Sequence, residues 1–370
     1  MRFLFFGEFR FELGKIKYRL KNVPLQKRIN YLIVKLNKTF NKTVIPSYPI
    51  YLRVNPFFGC NLHCPKCPAH QGENRINRGA LPFKTYKKFI DETGDYSLLL
   101  SLWSWGEPFL NENLPEMIEY AKTKKMIVKT STNGNVLNDE AFNKKIILSG
   151  LDELIIALDG PSSETYNIYR KGGEFNKIIK VIETFVELKK KLKVEKPLIN
   201  LRMVVTGYNE TEIPEMKKLA KKVGVDVLTF KTVNPNTDGG VPNESLIPKD
   251  ERYRRYSYDP VTQEKIEPEK YSCYSPFVRA TLYNDGTVVS CEHDYKADFP
   301  FGNIKNQSFK EIWSSEAATQ FRKHHRENND VFYFCKNCPF KGRVTEGCVA
   351  ERMDIKKSVN PSDKQDSWAQ

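Results

Sequence analysis

The chain has 370 residues, of which 40% are hydrophobic and 12% aromatic, enough to bury a sizeable core and unlike a disordered chain. Its 59 Lys and Arg against 45 Asp and Glu give a net charge of +14, which favours anionic partners but decides nothing about fold. No apolar run approaches the roughly 20 residues of a membrane span and the first residues do not read as a secretory leader, so the chain is expected to be cytoplasmic and its eight cysteines to be metal or redox groups rather than a disulfide framework.

Residues 1–47 form a basic extension with eleven Lys and Arg against only Glu8 and Glu12. Within it Ile29, Leu32, Ile33 and Leu36 recur at helical spacing, while Lys35, Lys38 and Lys42 fall on another face. The pattern predicts a helix packed on the body through its apolar face. The sharper reading is docking to an anionic membrane surface or an acidic partner. Residues 48–235 then alternate strand and helix. Strands are predicted at Tyr51–Val54, Leu98–Trp103, Met126–Thr130, Glu153–Leu158, Ile199–Val205 and Asp226–Lys231, each short and apolar as a buried parallel strand should be. Helices are predicted at Thr85–Thr93, Asn113–Lys124, Asp139–Leu148, Phe175–Leu192 and Glu210–Lys222, with Gly150 and Gly224 as stops. Periodicity gives an α/β domain without deciding between an open sheet and a partial barrel. The Pro- and Gly-rich stretch 236–270 reads as a linker or wrapping segment. A Cys-containing module follows at 271–352, and 353–370 is a polar tail.

The chemistry is concentrated in the cysteines. Cys60, Cys64 and Cys67 follow the first strand in a Cys-x3-Cys-x2-Cys loop. Three thiolates on one loop can hold three corners of a [4Fe–4S] cube, whose irons normally take four cysteines, so the missing fourth leaves one iron open. Structural zinc would want four ligands. This loop resembles that of the radical SAM superfamily. The resemblance implies a partial (β/α)6 TIM-like barrel in which S-adenosylmethionine (SAM) chelates the open iron and is cleaved to a 5′-deoxyadenosyl radical, with Cys60, Cys64 and Cys67 as the catalytic ligands and a flavodoxin- or ferredoxin-type electron donor. The aromatic residue the family often has before the third cysteine is Lys66 here.

Further similarities lie after successive strands, where α/β sheets collect ligands. Gly106-Glu107-Pro108 resembles the motif for the SAM amino group. Ser131 to Gly134, including Asn133, and Asp159-Gly160 resemble positions at the SAM carboxylate and ribose, and Arg202 resembles a SAM-contacting strand residue. Each would be an ordinary turn alone, except Arg202.

Cys273, Cys291, Cys335, Cys338 and Cys348 remain. Asn284 to Cys291 reads as a hairpin. The order of these cysteines resembles the SPASM and twitch domains, which hold auxiliary iron–sulfur clusters. A further cysteine expected after Cys338 is replaced by Val344. The resemblance implies one auxiliary [4Fe–4S] cluster on Cys273, Cys291, Cys335 and Cys338. Cys348 is then a substitute ligand, a core thiol or a hydrogen-atom donor. Four of these thiols would also suit zinc. Glu292, His293 and Asp294 are local candidates for a proton acceptor. The function implied is oxidation or epimerisation of a sugar, polyol or sugar nucleotide. Maturation of a ribosomally made peptide is the alternative, and a non-catalytic carrier is disfavoured by the open coordination site. No aromatic–basic RNA motif is present, so no specific nucleic acid is expected.

Overall fold

A computed structural model describes residues 9–13, 16–20, 22–40, 43, 46–65, 67–70, 76–235, 244–262, 264–266, 273–336, 338–343 and 348–356. Lys66 and Val344 lie outside the described residues. An antiparallel hairpin, β1 (Phe9–Leu13) with β2 (Ile16–Leu20), comes first and is separate from the main sheet. Helix α1 (Leu25–Thr39) follows. The barrel begins with β3 (Tyr51–Val54), a small ribbon of β4 (Phe57–Phe58) and β5 (Gly79–Ala80), then α2 (Phe83–Thr93) and β6 (Leu99–Ser101). It continues through α3 (Leu114–Thr123), β7 (Ile127–Thr132), α4 (Glu140–Leu148), β8 (Glu153–Ala157), the unpredicted α5 (Ser163–Tyr169), α6 (Phe175–Leu192), β9 (Leu198–Val205), α7 (Ile213–Val223) and β10 (Val227–Thr232).

The six predicted strands are thus present within a residue or two of the expected bounds, and β3-β6-β7-β8-β9-β10 run parallel in that order. Their near-continuous burial is what parallel strands covered by crossover helices require. Asp139 caps α4 by accepting from Ala141 N, and Gly224 ends α7 at φ +72°, as their types predict.

The C-terminal module extends this sheet at both edges. After the short α8 (Ser275–Val278), β11 (Arg279–Leu282) pairs parallel with β3, and β12 (Thr287–Val289) and β13 (Gly302–Asn303) continue outward in antiparallel pairing. Helices α9 (Phe309–Trp313), α10 (Glu316–Glu327) and α11 (Tyr333–Lys336) follow. Then β14 (Val349–Asp354) crosses the molecule to pair antiparallel with β10. The sheet therefore has ten strands, and β14 runs across the boundary read at residue 352. The described part of the stretch read as a linker is packed: Tyr253 and Tyr256 are buried, and Arg255 donates to the carbonyl of Thr232 at 2.7 Å.

Helix α1 exists as predicted, but its packing is the reverse of the expectation. Leu25, Ile29, Leu32, Leu36 and Phe40 are exposed, the last two at 55% and 67%. The buried face carries Lys27, Arg28, Asn30 and Asn37 with Tyr31 and Val34. Hydrogen bonds explain the inversion. Asn30 donates to the carbonyls of Tyr48 and Tyr96 and accepts from Tyr48 N, Asn37 donates to Ser47 Oγ, and Lys27 Nζ reaches the carbonyl of Ser97. Buried backbone carbonyls that need donors outweigh the transfer of a few Leu and Ile side chains.

Candidate active site

The Cys60 loop leaves the end of β4 and is clamped from three sides. Glu107 N donates to Gly59 O at 2.9 Å, drawing the 104–107 loop against it. Gly106 sits at φ +136°, and a Cβ there would lie 2.2 Å from Phe57 O and 2.9 Å from Gly59 O. Only glycine fits this approach. Gly106→Ala is therefore expected to cost more than about 1 kcal/mol, read as a lowered melting temperature, and to shed iron from the Cys60 loop during gel filtration. On the second side, His63 N donates to Lys171 O. On the third, Asn133 Nδ2 lies 3.4 Å from Cys60 Sγ and 2.9 Å from Asn61 Oδ1.

Of the residues read as SAM contacts, Gly106, Glu107 and Asn133 are tied directly to this loop and Asp159 through Arg170, whereas Arg202 is not. Glu107 is buried, and its oxygens accept from Phe109 N, Thr132 Oγ1 and Asn133 N. Burial pushes its carboxyl up to about 7 against those donors. It thus fixes the Asn133 turn, with Pro108 starting a short helical turn behind it. Ser131 is half-buried on β7, two residues beyond Lys129 and so on the same face of the sheet. Asp159 is fully buried, with Oδ1 accepting from Val204 N and Oδ2 2.5 Å from Arg170 Nε. Arg202 donates to Thr229 Oγ1 at 3.1 Å, and its electrostatic neighbours are Glu153, Cys348 and Arg352 rather than the Cys60 loop.

Arg170 carried no sequence signal. Burial works against its charge, but Asp159 and Cys64 more than offset it, with Nη1 3.6 Å from Cys64 Sγ. It is the fixed positive charge beside the three thiols.

The second group of thiols shares a cavity. Cys273, Cys291, Cys335 and Cys338 line it together with His293, Phe334 and Phe340. Cys348 is not in that wall. Its carbonyl accepts from Thr232 N at 2.7 Å, and Arg255, Lys231, Arg343 and Arg202 surround its thiol. Burial would raise this thiol, yet the four cations win and lower it. Of the proton-acceptor candidates, Glu292 is paired with Arg279 at 2.9 Å and Arg53 at 3.4 Å, and Asp294 accepts from Asp298 N and Phe299 N. His293 is half-buried, desolvation favours its neutral ring, and its Nε2, itself buried, has no hydrogen-bond partner. Trp105 links the two thiol groups: its loop abuts Gly59, and its Nε1 donates to Glu292 O at 2.5 Å.

The donor sets fit iron–sulfur clusters. Burial pushes Cys60 up and Cys67 to about 11, and also raises Cys291 and Cys335. Thiols that hold their protons this firmly become ligands only by surrendering them to a metal. Among the described residues no three Cys, His, Asp or Glu side chains converge tightly enough for a single ion. The four-thiol cavity suits the larger cube better than zinc, whose bonds to sulfur are about 2.3 Å.

Comparison with known proteins agrees. The radical SAM superfamily model matches residues 54–220, and the SPASM iron–sulfur cluster-binding domain model matches residues 273–339. The AdoMet-dependent heme synthase of Methanosarcina barkeri is 28% identical, over 79% of this chain and 88% of that protein. The PqqA peptide cyclase of Granulibacter bethesdensis is 22% identical, over 82% and 83%. Among solved structures, anSMEcpe with bound AdoMet aligns with a TM-score of 0.55 at 23% identity, over 79% of this chain and 85% of that one. The two matched segments carry the two thiol groups, and the chain belongs to the radical SAM superfamily, as an enzyme with a SPASM-type iron–sulfur domain, a SAM-binding [4Fe–4S] cluster and auxiliary iron–sulfur.

Proposed function

We propose that this radical SAM enzyme is an oxidoreductase of a small, polar, hydroxyl-bearing molecule of the sugar, polyol or sugar-nucleotide kind, bound between the two thiol groups. Cys60, Cys64 and Cys67 would hold the SAM-binding cluster, and Cys273, Cys291, Cys335 and Cys338 the auxiliary one. When bound, SAM and its cluster supply a radical that abstracts a hydrogen atom. Asn133, Ser131 and the backbone of the 104–107 loop would orient SAM, while Arg170 keeps positive charge beside Cys64. For a dehydrogenation the substrate loses one hydrogen atom, one proton and one electron. The electron has a short way to leave, because the loop of Trp105 touches both the Cys60 loop and Glu292.

The observation that carries this reading is a cluster of cations in the barrel interior: Arg202 and Arg255 are buried and Lys231 is half-buried, and all three lie around the Cys348 thiol. The test is anaerobic incubation of reconstituted enzyme with SAM and dithionite, scoring substrate-dependent 5′-deoxyadenosine release. Sugar phosphates and sugar nucleotides should stimulate it. Stimulation by peptides alone would favour the peptide-maturase reading, which the likeness to a peptide cyclase supports.

The exposed stripe of α1 suits an anionic bilayer, because Lys35 and Lys38 flank it and residues 1–47 are strongly basic. No helix among the described residues is long and apolar enough to cross a membrane. Co-sedimentation with vesicles containing 30% phosphatidylserine, a composition rich enough to attract basic segments, is expected for the wild type. Leu32→Asp with Leu36→Asp should weaken it by at least about tenfold. Equal sedimentation of the two proteins would discard the membrane reading.

A further inference from the structure

Among the described residues, the charges of the barrel interior do not balance. On β9, β10 and β14, Arg202, Thr229 and Arg352 stand opposite one another in register, and Lys231 lies two residues along β10 on the same face. Arg255 reaches the same place from the wrapping segment, donating to Thr232 through Nε at 3.2 Å and Nη2 at 2.7 Å. Arg202 and Arg255 are 8% and 5% exposed. The carboxylates nearby are already matched. Glu153 pairs with Lys129 at 3.4 Å and accepts from Asn200, Glu292 belongs to Arg279 and Arg53, and Asp354 takes Arg352 Nη2 at 3.1 Å. Among the described residues no carboxylate lies within ion-pair distance of Arg202, Lys231 or Arg255. Arg352 Nη1 is also buried without a hydrogen-bond partner.

Burying cations without counter-charge costs several kcal/mol each, and stability offers no reason to gather three. Among the described residues the acidic groups beside them are the Cys348 thiol and, next to Arg202, Glu153, which Lys129 and Asn200 already hold, and one remaining thiolate cannot balance them. A site that concentrates unmatched guanidinium and ammonium groups is built for oxygens that arrive with the ligand.

We propose that Arg202, Lys231 and Arg255 form the anion-binding subsite of the substrate pocket, with Cys348 in its wall, and that the substrate carries two or more oxyanion groups, carboxylate or phosphate. This rests on the reading of the pocket as a small-molecule site. It gives Arg202 to the substrate rather than to SAM. It also gives Cys348, which stands apart from the four-thiol cavity, a place beside the anion's counter-charges.

The test is isothermal titration of the reconstituted holoenzyme with pyrophosphate and, separately, with tricarballylate, with SAM present and absent. Saturable binding of either at millimolar or lower concentration is expected, the tighter one naming the oxyanion. Lys231→Met and Arg255→Leu should each weaken it at least tenfold, with the milder Lys231→Gln as a second variant and circular dichroism as the check on folding. Absence of saturable binding to the wild type, undiminished binding to the folded variants, or displacement of SAM by either anion would overturn the subsite. Release of 5′-deoxyadenosine by the same wild-type preparation separates the two failures: if it is formed and neither anion binds, the subsite is wrong and the radical chemistry stands.

Discussion

Replacing Cys60, Cys64 and Cys67 together by Ala is expected to lower the iron of the anaerobically reconstituted protein from about eight to about four per chain and to abolish 5′-deoxyadenosine formation. The loss should be complete because all three thiols lie on one loop, whereas Cys273, Cys291, Cys335 and Cys338 line a separate cavity and Cys348 lies among Arg255, Lys231, Arg343 and Arg202. The remaining four irons should keep their absorbance, since the second thiol group folds on separate elements. Iron analysis and chromatography of the SAM products read both effects. Surviving SAM cleavage in the triple variant would refute the assignment of the loop.

Cys335→Ala should do the opposite. About four irons should be lost while slow SAM cleavage without substrate persists, and turnover of the true substrate should fall more than tenfold, at least the effect of losing a group around a metal site. Cys348→Ala is the matched control. Because Cys348 lies among Arg202, Lys231, Arg255 and Arg343 rather than in the four-thiol cavity, its replacement should leave the iron content unchanged. Loss of iron from Cys348→Ala would return that residue to the ligand set. Equal loss of SAM cleavage and substrate turnover in Cys335→Ala would make the C-terminal module a folding element only.

What could be read from the residues alone was what depends on neighbours in sequence. The strands announced themselves as short apolar runs, Asp139 and Gly224 as helix ends, and the two thiol groups by spacing. What could not be read depended on distant partners. The helix α1 shows a clean apolar stripe, and the natural inference is that the stripe is buried. The opposite holds because Asn30, Asn37 and Lys27 meet carbonyl and hydroxyl groups of residues 47–48 and 96–97, which no local pattern reveals. Glu107 shows the same limit: the motif marks it as important, but only the fold shows its carboxylate turned toward Thr132 and Asn133. Arg170 has no motif at all. Its place beside Cys64 comes from the return of the chain after α5, and a sequence search could have flagged it only as one cation among many.

The ten-stranded sheet bears on how the chain can be assembled. The strands from β3 to β10 leave two edges with unpaired backbone donors and acceptors, and those edges are covered by β11 and β14, which begin at Arg279 and Val349, well after β10 ends at Thr232. Until residue 354 has emerged from the ribosome, the edge of β10 is open, a template for pairing with another chain. The last pairing also joins segments more than a hundred residues apart, the slow kind of contact. The iron–sulfur module is therefore no detachable accessory. A chain cut between β10 and β14 should aggregate rather than fold as an isolated barrel, and in the cell the span between synthesis of β10 and docking of β14 is when this protein most needs a chaperone.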